Sequence, residues 1–348
     1  MSFGAFLAAA QAEVGGLAAA VTGPDEMLAM GAAGEGVLEH ALFWLASMTK
    51  PVTSVAAMQL VERGALALDA PMGELLPELK APRIWDKGVL RPAKTPITLR
   101  HLLTHTAGFG YVFTRAEYGA YMATLPEPPV PGTRAWFDMP LLFEPGTAWE
   151  YGLSTDWVGL AVEAASGLRL DEYFARHVFG PLGMGETGFV PVRPQVAICA
   201  RQVDGSLLAN EVKPVKESAV LSGGGGLYGS LADYVRFLRL FLNEGGGVLR
   251  PESVREMTRN QIGGLRPGLL RSVNPGFMLE TDLGADGKSG WGLGFLLSES
   301  GRFGWAGAAN TYFWVDPAAR RAAVLMMQVL PFGDAAALRV RAAFERVV

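Results

Sequence analysis

Residues 43–69 read FWLASMTKPVTSVAAMQLVERGALALD, and this stretch organises the rest of the chain. Val52, Val55, Ala56, Leu60 and Val61 recur at helical spacing and Gly64 closes the run, which predicts a helix over Pro51–Gly64. Pro51 suits a first turn, where backbone N–H groups lack an intrahelical acceptor. Ser47 and Lys50 stand three apart, so a hydroxyl and an amine share one face of that turn. A serine at a helix N-terminus also faces N–H donors and the positive end of the helix dipole, both favourable to an oxyanion. With 14 serines and 7 lysines in 348 residues, however, S-x-x-K arises by chance about 0.3 times. A capping serine followed by a solvated lysine would look the same, and the tetrapeptide needs its context.

Upstream, residues 5–14 read as a helix, and Gly16–Val21 and Met27–Ala32 as strands joined by the turn Thr22-Gly-Pro-Asp25. Residues 70–220 mix helical patches, Asp156–Ala165 and Leu170–Val178, with Pro- and Gly-rich connections. Ser230-Leu-Ala-Asp233 has the form of a capping box opening a helix through Leu242. Trp291–Glu299, Gly301–Trp305, Thr311–Val315 and Ala322–Leu330 are strand-like, with Asp316–Arg320 a hairpin turn and Asp334 capping a last helix, Ala335–Val348. The expected fold is α+β, with an antiparallel sheet built from both chain termini and flanked by helices. Residues 1–65 and 222–348 would form that lobe, 66–221 an inserted mostly helical lobe, with the active site in the cleft between them.

The 43–69 stretch resembles the nucleophile region of the β-lactamase and penicillin-binding-protein superfamily of serine hydrolases. ITLRHLLTHTAGFGY (97–111), WEYGLSTDWVGLAVEAASG (149–167), SGGGGLYGSLADYVRF (222–237) and GWAGAANTYFWVDP (304–317) resemble further segments of its class C-like branch, in family order. The resemblance implies a β-lactamase/transpeptidase-like fold. It implies Ser47 as acylated nucleophile, Lys50 as its partner, Tyr151 as the tyrosine of the second motif, and the N–H groups of Ser47 and Ala308 as oxyanion hole. A free tyrosine titrates near 10. An adjacent ammonium favours phenolate, so Lys50 is expected to tune Tyr151 to take the Ser47 proton, with the formal base left open between the two.

Two departures bear on substrate. Where lactamases carry Lys-Thr-Gly, this chain has Trp305-Ala306-Gly307, and Leu153 stands where they carry the Asn of Tyr-x-Asn. Both remove groups suited to a substrate carboxylate or acyl amide, and point toward simple esters. The Trp-x-Gly variant resembles the family VIII carboxylesterases, which implies hydrolysis of small, short-chain acyl esters. Trp305, Gly307, Tyr111 and Leu153 are the expected pocket residues. The competing readings are a β-lactamase or D-amino-acid peptidase, an acyltransferase using the same acyl-enzyme, and a non-catalytic binding descendant.

Composition narrows the partners. A net charge of −4 with pI near 5.7 gives no footprint for nucleic acid or an anionic membrane. The single Cys199 cannot form an internal disulfide and reads as a buried core residue. FLAAAQAEVGGLAAAV near the start has no Lys or Arg before it, so it reads as helix and strand, with a cytoplasmic location expected. No metal or organic cofactor is implied. Gly224–Gly229 matches G-x-G-x-x-G without a βαβ setting and reads as a tight turn. His101 and His105 have zinc-helix spacing but no accompanying glutamate, and read as structural. Of Tyr111, Phe113, Tyr118, Tyr121, Trp136 and Phe137, some are expected to pack the helical part and some to line a pocket.

Overall fold

In the computed structural model, residues 1–210, 220–284 and 287–348 are described. A seven-stranded antiparallel sheet has the order Gly290–Trp291, Leu296–Leu297, Phe303–Gly307, Thr311–Asp316, Arg321–Met327, Gly16–Thr22, Met27–Gly34. The strand from the chain's start thus pairs with one from its end, Ala19 opposite Leu325. This is the β-lactamase/transpeptidase-like arrangement expected from the sequence.

Gly16–Thr22 shows why both faces are covered. Leu17, Ala19 and Val21 join one hydrophobic cluster, Ala18 and Ala20 the other, following the two-residue period of a strand. The first face carries the helices Phe3–Val14 and Ala335–Glu345, with Phe6 stacked on Phe344 at 5.3 Å. The second packs against Leu231–Leu242 and merges with the core that holds the helices Thr49–Glu62 and Ser154–Ser166. That one cluster runs through residues of 66–221 and of the sheet alike.

Several expectations need correction. Trp291–Glu299 is two short strands, because Gly292 N–H bonds Phe295 O and Gly294 takes a φ of +98° between them. Leu170–Val178 is helical to Phe174 and continues as a wider π-type turn over Ala175–Phe179. The box at 230–233 closes from one side: Ser230 Oγ accepts from Asp233 N–H, but the Asp233 carboxylate accepts from Glu186 N–H and Thr187 Oγ1. Cys199 is half-buried on the strand Ile198–Arg201, and that strand pairs in parallel with Val329–Leu330. Among the described residues no helix is long and apolar enough to cross a membrane.

Candidate active site

Ser47 lies in the tight turn Ala46–Met48, which runs directly into the helix Thr49–Glu62. Ala46 before it has a φ of +46°, a conformation that a side chain disfavours and that recurs at functional turns. The turn is held from outside its own segment. Thr49 Oγ1 accepts from Leu227 N–H, Thr53 Oγ1 donates to Gly223 O, and Trp44 Nε1 donates to Gly225 O. The glycine-rich 223–226 loop is therefore the backing of the serine turn, as its reading as a tight turn requires.

Lys50 is fully buried one helical turn from Ser47. Its Nζ lies 3.2 Å from Ser47 Oγ, 3.0 Å from the Tyr111 hydroxyl and 2.7 Å from Gly224 O. Three acceptors match the three donors of an ammonium. Burial nevertheless pulls Lys50 down to about 7, against the Asp156 carboxylate, which favours the charged form. At neutral pH a large fraction is free amine, with a lone pair beside the serine.

Tyr151 is also buried, and its hydroxyl accepts from Trp305 Nε1 at 3.0 Å and lies within hydrogen-bonding reach of Ser47. Burial pushes its phenol above the usual 10, opposed by the bonds to Ser47 and Trp305. The expectation that Lys50 would ease Tyr151 toward phenolate is therefore reversed. The ammonium bonds Tyr111 and sits 4.6 Å over the Tyr151 ring instead of at its hydroxyl. Of the pair, the lysine is the group that gives up its proton near neutrality.

Asp156 was not singled out by the sequence. It sits in the first turn of Ser154–Ser166, buried, and accepts from Ser222 Oγ at 2.6 Å and Gly224 N–H at 3.0 Å. Those bonds fix the loop whose Gly224 O meets Lys50. The available signal was a carboxylate inside an otherwise apolar helical stretch, TDWVGLAV.

Ala308 lies in the turn between the strands Phe303–Gly307 and Thr311–Asp316. Asn310, in the left-handed region at φ +57°, anchors that turn: its side chain donates to Val329 O and Pro331 O and accepts from the Tyr312 hydroxyl and Gly333 N–H. Ser47, Tyr111, Tyr151, Leu153, Trp305, Gly307 and Ala308 all line one cavity of about 370 Å³. Its walls are mainly aromatic and aliphatic. Among the described residues they include no lysine, arginine or histidine, and Asp156 is the one charged residue. Tyr111, Phe113, Trp136 and Phe137 line it, whereas Tyr118 and Tyr121 are packed into the core. His101 caps its own helix through Nδ1, which accepts from Thr98 N–H, and His105 packs against the Tyr151 ring.

The chain is similar to known proteins over nearly its whole length. A family model described as Beta-lactamase matches residues 4–347. "Acyltransferase calJ" of Penicillium decumbens is 32% identical over 339 residues, covering 88% of this chain and 80% of that one. "Lovastatin esterase" of Penicillium rubens is 35% identical over 301 residues, covering 78% and 73%. The unliganded simvastatin synthase (LovD) of Aspergillus terreus superposes with a TM-score of 0.82 at 25% identity, over 99% of this chain and 96% of that one.

Proposed function

The chain belongs to the beta-lactamase family, as a serine hydrolase of esterase/acyltransferase type, and from that premise we propose that it hydrolyses small apolar carboxylic esters through an acyl-enzyme on Ser47. The observation that carries this reading is the buried Lys50, 3.2 Å from Ser47 Oγ and brought down to about 7. A neutral amine there accepts the Ser47 proton as the hydroxyl attacks the ester carbonyl. The oxyanion forms against the N–H groups of Ser47 and Ala308. The Lys50 ammonium then gives that proton to the departing alkoxide, so the alcohol leaves and the amine is neutral again, while Tyr151 keeps its own proton and, with Trp305 occupying one lone pair, steadies the leaving oxygen by a hydrogen bond. Water then attacks the acyl-enzyme, the neutral Lys50 taking its proton and passing it to the Ser47 oxygen as the acyl bond breaks, so that the free acid leaves and the Ser47 hydroxyl is restored.

The preference for esters is supported by the cavity. Trp305 puts an indole where lactamases hold a lysine, and among the described residues no cation lines the walls to meet a substrate carboxylate. A volume of about 370 Å³ lies at the small end of ligand pockets, which run from roughly 300 to 1,000 Å³. The substrate in this reading is a small-molecule ester, in keeping with relatives named as esterases. A second reading, transfer of the acyl group to an alcohol, is favoured by the 32% identity to a protein named as an acyltransferase.

The test is an assay of p-nitrophenyl esters of increasing acyl length beside a chromogenic cephalosporin, with Ser47→Ala as control. Ester turnover should exceed cephalosporin turnover and vanish in the Ala variant. The reverse order of turnover overturns the ester reading. Repeating the ester assay with added alcohol separates the two product fates, since transfer yields a new ester in place of the free acid.

A further inference from the structure

Tyr151 stands outside regular structure, three residues ahead of the helix Ser154–Ser166. Its own segment does not fix it, and the bonds on either side come from the 105–110 loop. Glu150 N–H donates to His105 O at 2.9 Å, Gly152 N–H to His105 Nδ1 at 3.4 Å, and Leu153 N–H to Gly110 O at 3.3 Å. The His105 ring lies 4.8 Å from the Tyr151 ring. Gly152 is pressed so close to this loop that a β-carbon there would fall 2.3 Å from Phe109 O.

His105 is an odd residue for mere filling. It is fully buried and holds a φ of +58°, which a histidine adopts at a cost. Accepting from Gly152 requires an unprotonated Nδ1, so the neutral ring carries its hydrogen on Nε2. That atom is buried with no hydrogen-bond partner. A leucine or phenylalanine would fill the space without an orphaned N–H. What an apolar residue would lack is the acceptor for Gly152.

We propose that His105 is a positioning residue for Tyr151, its carbonyl and its Nδ1 gripping Glu150 and Gly152 so that the phenol between them is held toward Ser47 and Trp305. This rests on the role given to Tyr151 above. Loss of the grip lets the hydroxyl wander relative to the serine, which lowers the rate of acylation more than the affinity for ester.

The two informative variants are His105→Gly and His105→Asn, since both residues accept the left-handed backbone. The first keeps the carbonyl and removes the ring. The second returns an acceptor near the place of Nδ1. Rates are read per active site, after titration with a phosphonate that labels Ser47. The expected result is a kcat roughly 10- to 100-fold lower in His105→Gly with KM within about threefold, and a return to within about fivefold of wild type in His105→Asn. A merely structural role would lower the melting temperature and the titrated fraction but leave kcat per site unchanged. Wild-type kcat per site in His105→Gly, or an Asn variant no faster than the Gly variant, overturns the proposal. If the Gly variant does not fold, His105→Asn decides alone: a kcat per site within about fivefold of wild type supports the proposal, and a larger loss overturns it. Wild-type kcat in Tyr151→Phe would instead remove the role of Tyr151 itself, and with it the need to position it.

Discussion

The indole N–H of Trp305 donates to the hydroxyl of Tyr151 at 3.0 Å, both groups buried, with the two rings 5.0 Å apart. This bond joins the feature that most separates the chain from lactamases to the tyrosine it shares with them. By occupying one oxygen lone pair, the indole leaves the phenolic hydrogen to point elsewhere, and Ser47 is within its reach. The tryptophan thus does more than block a carboxylate.

Trp305→Phe keeps the aromatic wall and removes the donor. A net hydrogen bond contributes about 0.5–1.5 kcal/mol, so kcat/KM for a p-nitrophenyl ester should fall roughly 3- to 10-fold. Cephalosporin turnover should not rise, because no cation is gained. Steady-state kinetics on both substrates check this.

The acid limb of the kcat/KM profile should have its midpoint near 7, with activity rising as Lys50 loses its proton. Glu150 is also pushed up by burial to about 7, with the Arg115 guanidinium pulling the other way. Glu150→Gln decides between them: the limb should stay where it is. Lys50→Met should lower the acylation rate by at least about 100-fold at every pH.

Linkage gives Lys50 a stability signature as well. Its folded pKa lies below the unfolded value of 10.5, so the native state binds fewer protons between about 7 and 10.5. Stability from this group therefore rises with pH across that window, and its burial penalty is fully present below it. Urea denaturation should show Lys50→Met gaining on wild type at pH 7 relative to pH 10.

Asn310→Ala removes four hydrogen bonds and forces alanine into a left-handed conformation. Partners left buried and unpaired cost about 1–3 kcal/mol each, so a loss of at least about 3 kcal/mol is expected. Thermal unfolding measures it, and ester turnover should fall because Ala308 sits on the same turn.

Gly307→Ala places a β-carbon 2.4 Å from Leu45 O and 2.2 Å from Thr311 Oγ1. The strand must move away from the serine turn, which separates Ala308 from Ser47. Turnover should drop by at least about 100-fold, with a smaller change in melting temperature. A variant with normal turnover would show that the two N–H groups do not act together.

By itself the sequence determined what depends on neighbours along the chain. The spacing of Ser47 and Lys50, the helix behind them, the paired strands near each terminus and the caps at Ser230 and Asp334 follow from periodicity and local hydrogen bonding. The ordered motifs named the fold and located Tyr151, Trp305 and Ala308 at one site. The tertiary structure decided the electrostatics. Lys50 meets Tyr111, Gly224 and the field of Asp156 across 61, 174 and 106 residues of chain, and no local pattern encodes such meetings. Desolvation depends on everything that surrounds a group, so only the packed cavity could make lysine the weaker holder of its proton and tyrosine the stronger. The same holds for His105: its spacing from His101 is a local fact, but its hold on both neighbours of Tyr151 exists only once two distant loops are pressed together.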